Sequence, residues 1–226
     1  MKFPSVTTIL KHNSTEFDGI PEHILKKASE RGNDVHNAME AVLQGRKYKI
    51  KKENYEVFVN MIAQLNHMCS TLCASISNAV CEKTVYHYAL KYSGQLDYTF
   101  KFFPKGRLTG SRVRMCTDYK TTSKQKHDHL MQIAAYIMAD YHMRKVGDRD
   151  DLTGDELKNA VTLVSAHGQK VKVLLPDFES SYGSLIYSHK NNKGIKVITG
   201  SQLKSAAFDF IDVLEDFGKA NGERLR

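Results

Sequence analysis

A chain of 226 residues, 41% hydrophobic and 26% charged, is long enough to bury a substantial core and is an ordinary water-soluble composition. No apolar run reaches the length that spans a bilayer, and residues 1–10 lack the basic-then-apolar pattern of a secretion signal. The expectation is an intracellular protein, in the cytoplasm or, for a phage-encoded chain, the host cytoplasm, with no membrane partner. The net charge of +8 and a pI of about 9.2 favour a polyanionic partner, bound through phosphate contacts and counterion release.

In chain order, Pro4-Ser5-Val6-Thr7-Thr8 leads to residues 21–44. Helical spacing there predicts two helical pieces hinged near Gly32, with Val35, Met39 and Val42 on the apolar face. A further helix is predicted over 54–78, carrying Val57, Met61 and Leu65. Three short runs rich in β-branched or aromatic residues, 83–90, 98–103 and 112–118, predict neighbouring strands. A helix over 128–145 buries Leu130, Ile133, Ile137 and Met138, and a polar loop follows at 147–154. Strands are predicted at 160–165 and 170–175. The Ser-, Asn- and Gly-rich stretch 177–200 reads as surface loops around a short strand, 184–188, and a last helix over 201–217 stops at Gly218. This order implies an α/β fold: one domain over 1–226, a helical portion at 1–78 and a core at 79–226 with a mixed β-sheet flanked by helices.

The chemistry centres on Asp97 and on Asp118-Tyr119-Lys120-Thr121-Thr122. Pairing of their strands would bring the two carboxylates together, and residues 118 and 120, two apart on a strand, point to one face. Hydrolysis of a phosphodiester adds a nucleophile to an already anionic phosphorus. Such a site needs Mg²⁺ or Mn²⁺ to organise water and neutralise charge, and these hard cations take carboxylate oxygens. Lys120 would orient the water or neutralise developing charge. An Asp-x-Lys tripeptide is common on solvated strand faces, so its companions carry the argument. Basic residues cluster at 47–52, 101–114 and 120–126, and the last two clusters flank Asp97 and Asp118; the first reads as a solvated surface. Cys69, Cys73, Cys81 and Cys116 lack the paired Cys-x-x-Cys of structural zinc sites and read as reduced thiols.

Three features support that centre. In Arg31-Gly32-x-x-x-His36, the histidine lies about one helical turn beyond the glycine and offers a neutral imidazole to a metal. Glu82 is a third carboxylate on the strand before Asp97. Gln132 and Tyr136, at i and i+4, share a helix face opposite the apolar stripe and would project together towards the site, where uncharged donors can fix a DNA backbone.

Taken in order, Pro4-Ser5-Val6-Thr7, Arg31-Gly32-x-x-x-His36, Glu82, Gly94-x-x-Asp97, Asp118-x-Lys120-Thr121-Thr122 and Gln132-x-x-x-Tyr136 resemble the motifs of RecB-like nucleases of the PD-(D/E)XK superfamily. The likeness is nearest the branch of mitochondrial genome maintenance exonucleases and related phage exonucleases, and it covers residues 4–140. The resemblance implies a restriction-endonuclease-like core with N-terminal helical additions and a metal-dependent DNA exonuclease of replication, recombination and repair. It implies that His36, Asp97 and Asp118 bind Mg²⁺ or Mn²⁺ with the Tyr119 carbonyl, that Lys120 assists the water, and that Gln132 and Tyr136 hold the DNA strand. Glu82 joins the metal or catalytic set, and Arg31, Ser5 and Thr7 are further DNA contacts. Some relatives carry a four-cysteine iron-sulfur cluster with three ligands after the core. Here all four cysteines precede residue 120, so no iron-sulfur cluster is expected.

The preferred substrate is single-stranded DNA with a free end, its bases stacking on aromatics such as Tyr86, Tyr88 or Tyr98. The alternatives are a duplex-specific 5′-to-3′ exonuclease of the lambda type and a catalytically silent DNA-binding module. Polarity of digestion, oligomeric state and any helicase or recombinase partner are not written in these residues.

Overall fold

The computed structural model describes residues 3–12, 19–72, 79–102, 113–122, 124–149, 151–164, 170–189 and 192–222. Ser5 starts the first helix, α1 (Val6–Lys11): its hydroxyl accepts from the Thr8 N–H at 3.1 Å, the usual device for satisfying a helix's first donors. This helix is absent from the sequence expectation because it is barely longer than one turn; what holds it is burial of Val6, Ile9 and Leu10.

Residues 22–43 form one continuous helix, α2 (Glu22–Leu43), and not the two hinged pieces expected at Gly32. A glycine inside a helix costs only about 1 kcal/mol, and burial of Val35, Ala38 and Met39 outweighs that. The next helix, α3 (Tyr55–Thr71), lies in the predicted place, and the remainder of the predicted segment, 73–78, falls outside the described residues.

The strands are β1 (Val80–His87), β2 (Tyr92–Phe102) and β3 (Val113–Lys120), followed by α4 (His127–Lys145) and α5 (Gly154–Lys158). A separate antiparallel pair, β4 (Val161–Val164) and β5 (Lys170–Val173), precedes β6 (Tyr182–His189), β7 (Asn192–Thr199) and the last helix, α6 (Gly200–Ala220). The main sheet is mixed, in the order β1-β2-β3-β6-β7, antiparallel except where β3 runs parallel to β6. Parallel neighbours need a long crossover, and α4 supplies it. The expectation of surface loops around 177–200 is corrected at β7. Its glycine- and asparagine-bearing sequence hides a strand that pairs along the whole of β6 from Tyr182–Thr199 to His189–Asn192.

Two cores sandwich the sheet. One joins α1, α4 and α6 to Leu96, Cys116 and Leu185; the other joins α2 and α3 to Tyr98, Met115, Tyr119 and Ile186. Along β3 the alternation is regular, with Cys116 on the α4 side and Met115 and Tyr119 on the α3 side. In β2 it breaks: Leu96 and Tyr98 are two apart yet belong to opposite cores. That change of face coincides with Glu82, a left-handed residue (φ 49°) on the neighbouring strand. Helix α4 is buried nearly all round, including Ile133, Ala134, Ala135, Ile137 and Met138, as a helix wedged between sheet and second helix must be.

Asp140 ties α4 to the sheet. Its carboxylate, 1% exposed, accepts from Lys83 of β1 and from Arg144 Nε at 2.9 Å, with Arg114 Nε of β3 at 3.6 Å. Burial pushes its pKa up, but the Lys83 hydrogen bond and the Arg114, Lys83 and Arg144 charges outweigh that and hold the carboxyl below its ordinary value. The stabilisation is therefore present above the ordinary carboxylate range and is lost as pH falls through the depressed value. The three cations are partly exposed and can rehydrate, so Asp140→Asn is expected to cost about 2 kcal/mol, roughly a 6 °C lower melting temperature at neutral pH. Calorimetry of the variant at pH 7 and at pH 3 checks this; the difference from the parent should shrink at the lower pH.

Among the described residues, no helix is long and apolar enough to cross a membrane. Cys69 and Cys116 are buried free thiols and Cys81 is a half-buried one, while Cys73 lies outside the described residues.

Candidate metal-binding and catalytic site

The register of β1 on β2 sets Cys81 opposite Tyr98 and Lys83 opposite Leu96, which leaves Glu82 directly across from Asp97, with the ladder open between them. A non-glycine residue in left-handed conformation costs about 1–3 kcal/mol and collects at functional sites. Glu82 is held by Gln95 Nε2, which donates to its Oε2 at 2.6 Å. Burial, with Asp97 and Glu40 nearby and His36 and Gln95 opposing, raises its pKa to about 7.

Asp97, 6% exposed, accepts at Oδ2 from the Tyr119 N–H at 2.6 Å, which locks β2 to β3 at the level of the site. His36 Nδ1 lies 3.2 Å from Asp97 Oδ1, and His36 Nε2 donates to the Tyr119 carbonyl at 3.1 Å. Burial disfavours the imidazolium, yet Asp97, by charge and hydrogen bond, and then Asp118 overcome it and raise the His36 pKa to about 9. The same partnership holds Asp97 low against its own burial. The positive imidazolium thus sits between a carboxylate and a carbonyl, the two kinds of oxygen that attract a cation.

One ring nitrogen of His36, one oxygen of Glu82 and one oxygen of Asp97 lie within 4.8 Å of one another. That donor set, two carboxylates and an imidazole beside a backbone carbonyl, could hold a divalent cation. Asp118 stands outside the three. Its carboxylate, 2% exposed, faces Lys120 Nζ at 2.6 Å from Oδ2, while Gln132 Nε2 reaches Oδ1 at 3.5 Å. Burial, opposed by Lys120 and helped by Asp97, raises the Asp118 pKa to about 6. Lys120 also donates to Gln132 Oε1 at 2.6 Å, and Gln132 Nε2 donates to the Tyr136 hydroxyl at 2.7 Å. The chain Asp118–Lys120–Gln132–Tyr136 is continuous from β3 to α4.

A pocket of about 570 Å³ opens onto this centre, lined by Ser5, Thr7, His36, Glu82, Asp97 and Tyr136 among others. Asp118, Lys120 and Gln132 are not part of that lining. Gln132 and Tyr136 do share a face, but it is buried, 8% and 4% exposed, and not the polar helix surface expected. Ser5 borders the pocket with its hydroxyl committed to the α1 cap and to Thr7 and Thr8. Arg31 lies elsewhere, donating to the Thr121 carbonyl at 3.0 Å and so fastening α2 to the end of β3.

Of the aromatics expected to stack bases, Tyr98 is 1% exposed and packs on Phe100, so it cannot do so. Tyr86 and Tyr88 pack with Phe3 and do not line the pocket. Asn33 and Asn37 do line it, although sequence reasoning passed over them; Asn33 lies three before His36 and four before Asn37, helical-neighbour spacings that are the signal that could have found them.

No family model matches the chain, and no curated protein matches it. Among solved structures, the crystal structure of SSO0001 is similar at 15% identity over 85% of each chain, with a TM-score of 0.29, a likeness too low to bear on fold family or function.

Proposed function

We propose that this chain is a Mg²⁺- or Mn²⁺-dependent DNA exonuclease on a restriction-endonuclease-like core, of the RecB-like branch of the PD-(D/E)XK nucleases, acting on single strands with a free end. The observation that supports it most is the meeting of His36, Glu82 and Asp97 donors within 4.8 Å at one wall of the pocket, backed by the Asp118–Lys120 pair. A bound divalent cation supplies charge neutralisation at the phosphate and a water of lowered pKa. Asp97, Glu82 and the Tyr119 carbonyl offer it oxygen, and His36 offers nitrogen once its proton leaves. Lys120, fixed by Asp118 and Gln132, presents a positive charge where negative charge builds on the phosphate oxygens. Tyr136, at the pocket wall, donates to the strand backbone, and Asn33 and Asn37 offer further uncharged donors. Helices α1 and α2 wall the pocket through Ser5, Thr7, Asn33 and Asn37, which favours a thin, threading strand over a rigid duplex.

The test is digestion of end-labelled linear single strands, linear duplexes and covalently closed single-stranded circles, each with Mg²⁺, Mn²⁺ or EDTA. Linear single strands should be degraded progressively with either metal and not with EDTA, while circles survive. Equal cleavage of circles would replace the exonuclease with an endonuclease; cleavage in EDTA would remove the metal from the reaction.

A further inference from the structure

The segment that returns from the end of α2 to α3 departs from an ordinary solvated loop. Residues 44–56 hold five basic residues, Arg46, Lys47, Lys49, Lys51 and Lys52, against two acidic ones, Glu53 and Glu56. Two exposed tyrosines lie among them, Tyr48 at 41% and Tyr55 at 51%, on either side of the buried Phe58, with ring centroids 4.8 and 6.3 Å from it. The backbone is fixed: Asp34 Oδ2 accepts from the Lys51 N–H at 3.0 Å and from Asn54 Nδ2 at 2.7 Å, and the Arg46 N–H donates to the Ala41 carbonyl at 2.7 Å. Among the described residues, Lys47, Lys49 and Lys52 form no ion pair, whereas Arg46 and Lys51 are taken by Glu40 and Glu30. A rigid strip with free ammonium groups beside exposed ring faces matches a strand that carries both phosphates and unstacked bases. A duplex hides its bases and gains nothing from the rings.

We infer that Lys47, Tyr48, Lys49, Lys52 and Tyr55 form a second binding surface for single-stranded DNA, which holds the strand outside the cleavage pocket. The strip continues from the pocket along α2. Asn33, His36 and Asn37 face the pocket, Glu40 follows on the same helix face, and Glu40 Oε1 accepts from Arg46 at 2.9 Å where the strip begins. At about 1.5 Å per residue, Gln44 is roughly 12 Å along the helix from His36, close enough for one strand to touch both. The choice of DNA as the strand rests on the proposed nuclease function, whereas the match to a flexible polyanion with stacking bases does not.

The experiment measures binding of a fluorescein-labelled oligothymidine of about 30 nucleotides by anisotropy, in the Asp118→Asn background with EDTA present. Tyr48→Ala with Tyr55→Ala should weaken binding about 10-fold or more. Because loss of Tyr48 could loosen Phe58, a second variant changes charge alone: Lys47→Gln with Lys49→Gln should lower the slope of log affinity against log salt by about 1.4. Lys172→Gln with Lys204→Gln, exposed lysines on β5 and α6, serves as the charge-matched control and should leave the affinity unchanged. Strip variants that bind like the control, or a parent that binds a blunt duplex as tightly as the single strand, overturn the inference. Strip-dependent binding by a chain whose parent never cleaves DNA would keep the strip and remove the nuclease, while metal-dependent cleavage with indifferent strip variants would do the reverse.

Discussion

Asp118→Asn is expected to reduce cleavage of single-stranded DNA by about 10²-fold while leaving the melting temperature without metal unchanged or raised. The two halves of this result have one cause. Asp97 and Asp118 are buried carboxylates on adjacent strands, two like charges whose closeness disfavours the fold and which the proposed chemistry would use. An asparagine keeps the shape of Asp118 and, with its single carbonyl oxygen, one of the two bonds accepted from Lys120 and Gln132, and it removes one of the two like charges. Lys120→Ala should behave differently. It too should lose about 10²-fold or more in turnover, but it strips Asp118 of the cation 2.6 Å away, so it should lower stability by about 3 kcal/mol. The double variant should recover much of that stability and none of the activity. Steady-state cleavage with thermal melts of the three variants checks the scheme, and full activity in either single variant would sink the site.

The parts of this site that could be read from the sequence are those set by local geometry. Asp118 and Lys120 face the same way because strand residues alternate, and Gln132 and Tyr136 share a helix face because i and i+4 do; the structure has both pairs in contact, through the Asp118–Lys120 ion pair and the Gln132–Tyr136 hydrogen bond. What local geometry does not carry is burial on all sides. Helix α4 reads as amphipathic with a wet face, yet α6 and α1 close over it, and the polar pair becomes an internal brace. The reversal of face between Leu96 and Tyr98 was equally hidden, because period-two alternation has no provision for a left-handed glutamate on the next strand. That reversal is why Tyr98, expected to stack bases, lies in the α3-side core. Strand β7 was lost to composition, since its pairing with β6 stabilises a sequence that by itself suggests a loop.

The role of Gly94 shows how such hidden packing reaches the chemistry. The sequence marks it only as the first residue of a Gly-x-x-Asp motif. A Cβ placed on it would lie 2.3 Å from Tyr136 Cε1, 2.6 Å from Cδ1 and 3.4 Å from Val6 Cγ2, so the tyrosine ring rests on bare backbone. Gly94→Ala must therefore move Tyr136. The ring is 4% exposed and its hydroxyl accepts from Gln132, which also holds Lys120, so it cannot yield without pulling on the lysine of the proposed site. Overpacking of this kind costs about 1–3 kcal/mol, and a displacement of about 1 Å at a reacting centre can cost about 10²-fold in rate. The expected result is a variant that folds, melts several degrees lower and cleaves about 10²-fold more slowly. A double-mutant cycle isolates the cause: with Tyr136→Ala already in place the new methyl has room, so Gly94→Ala should then add little to either defect. If the two losses simply add, the glycine acts on something other than the Tyr136 ring, and the link from β2 through α4 to Lys120 fails.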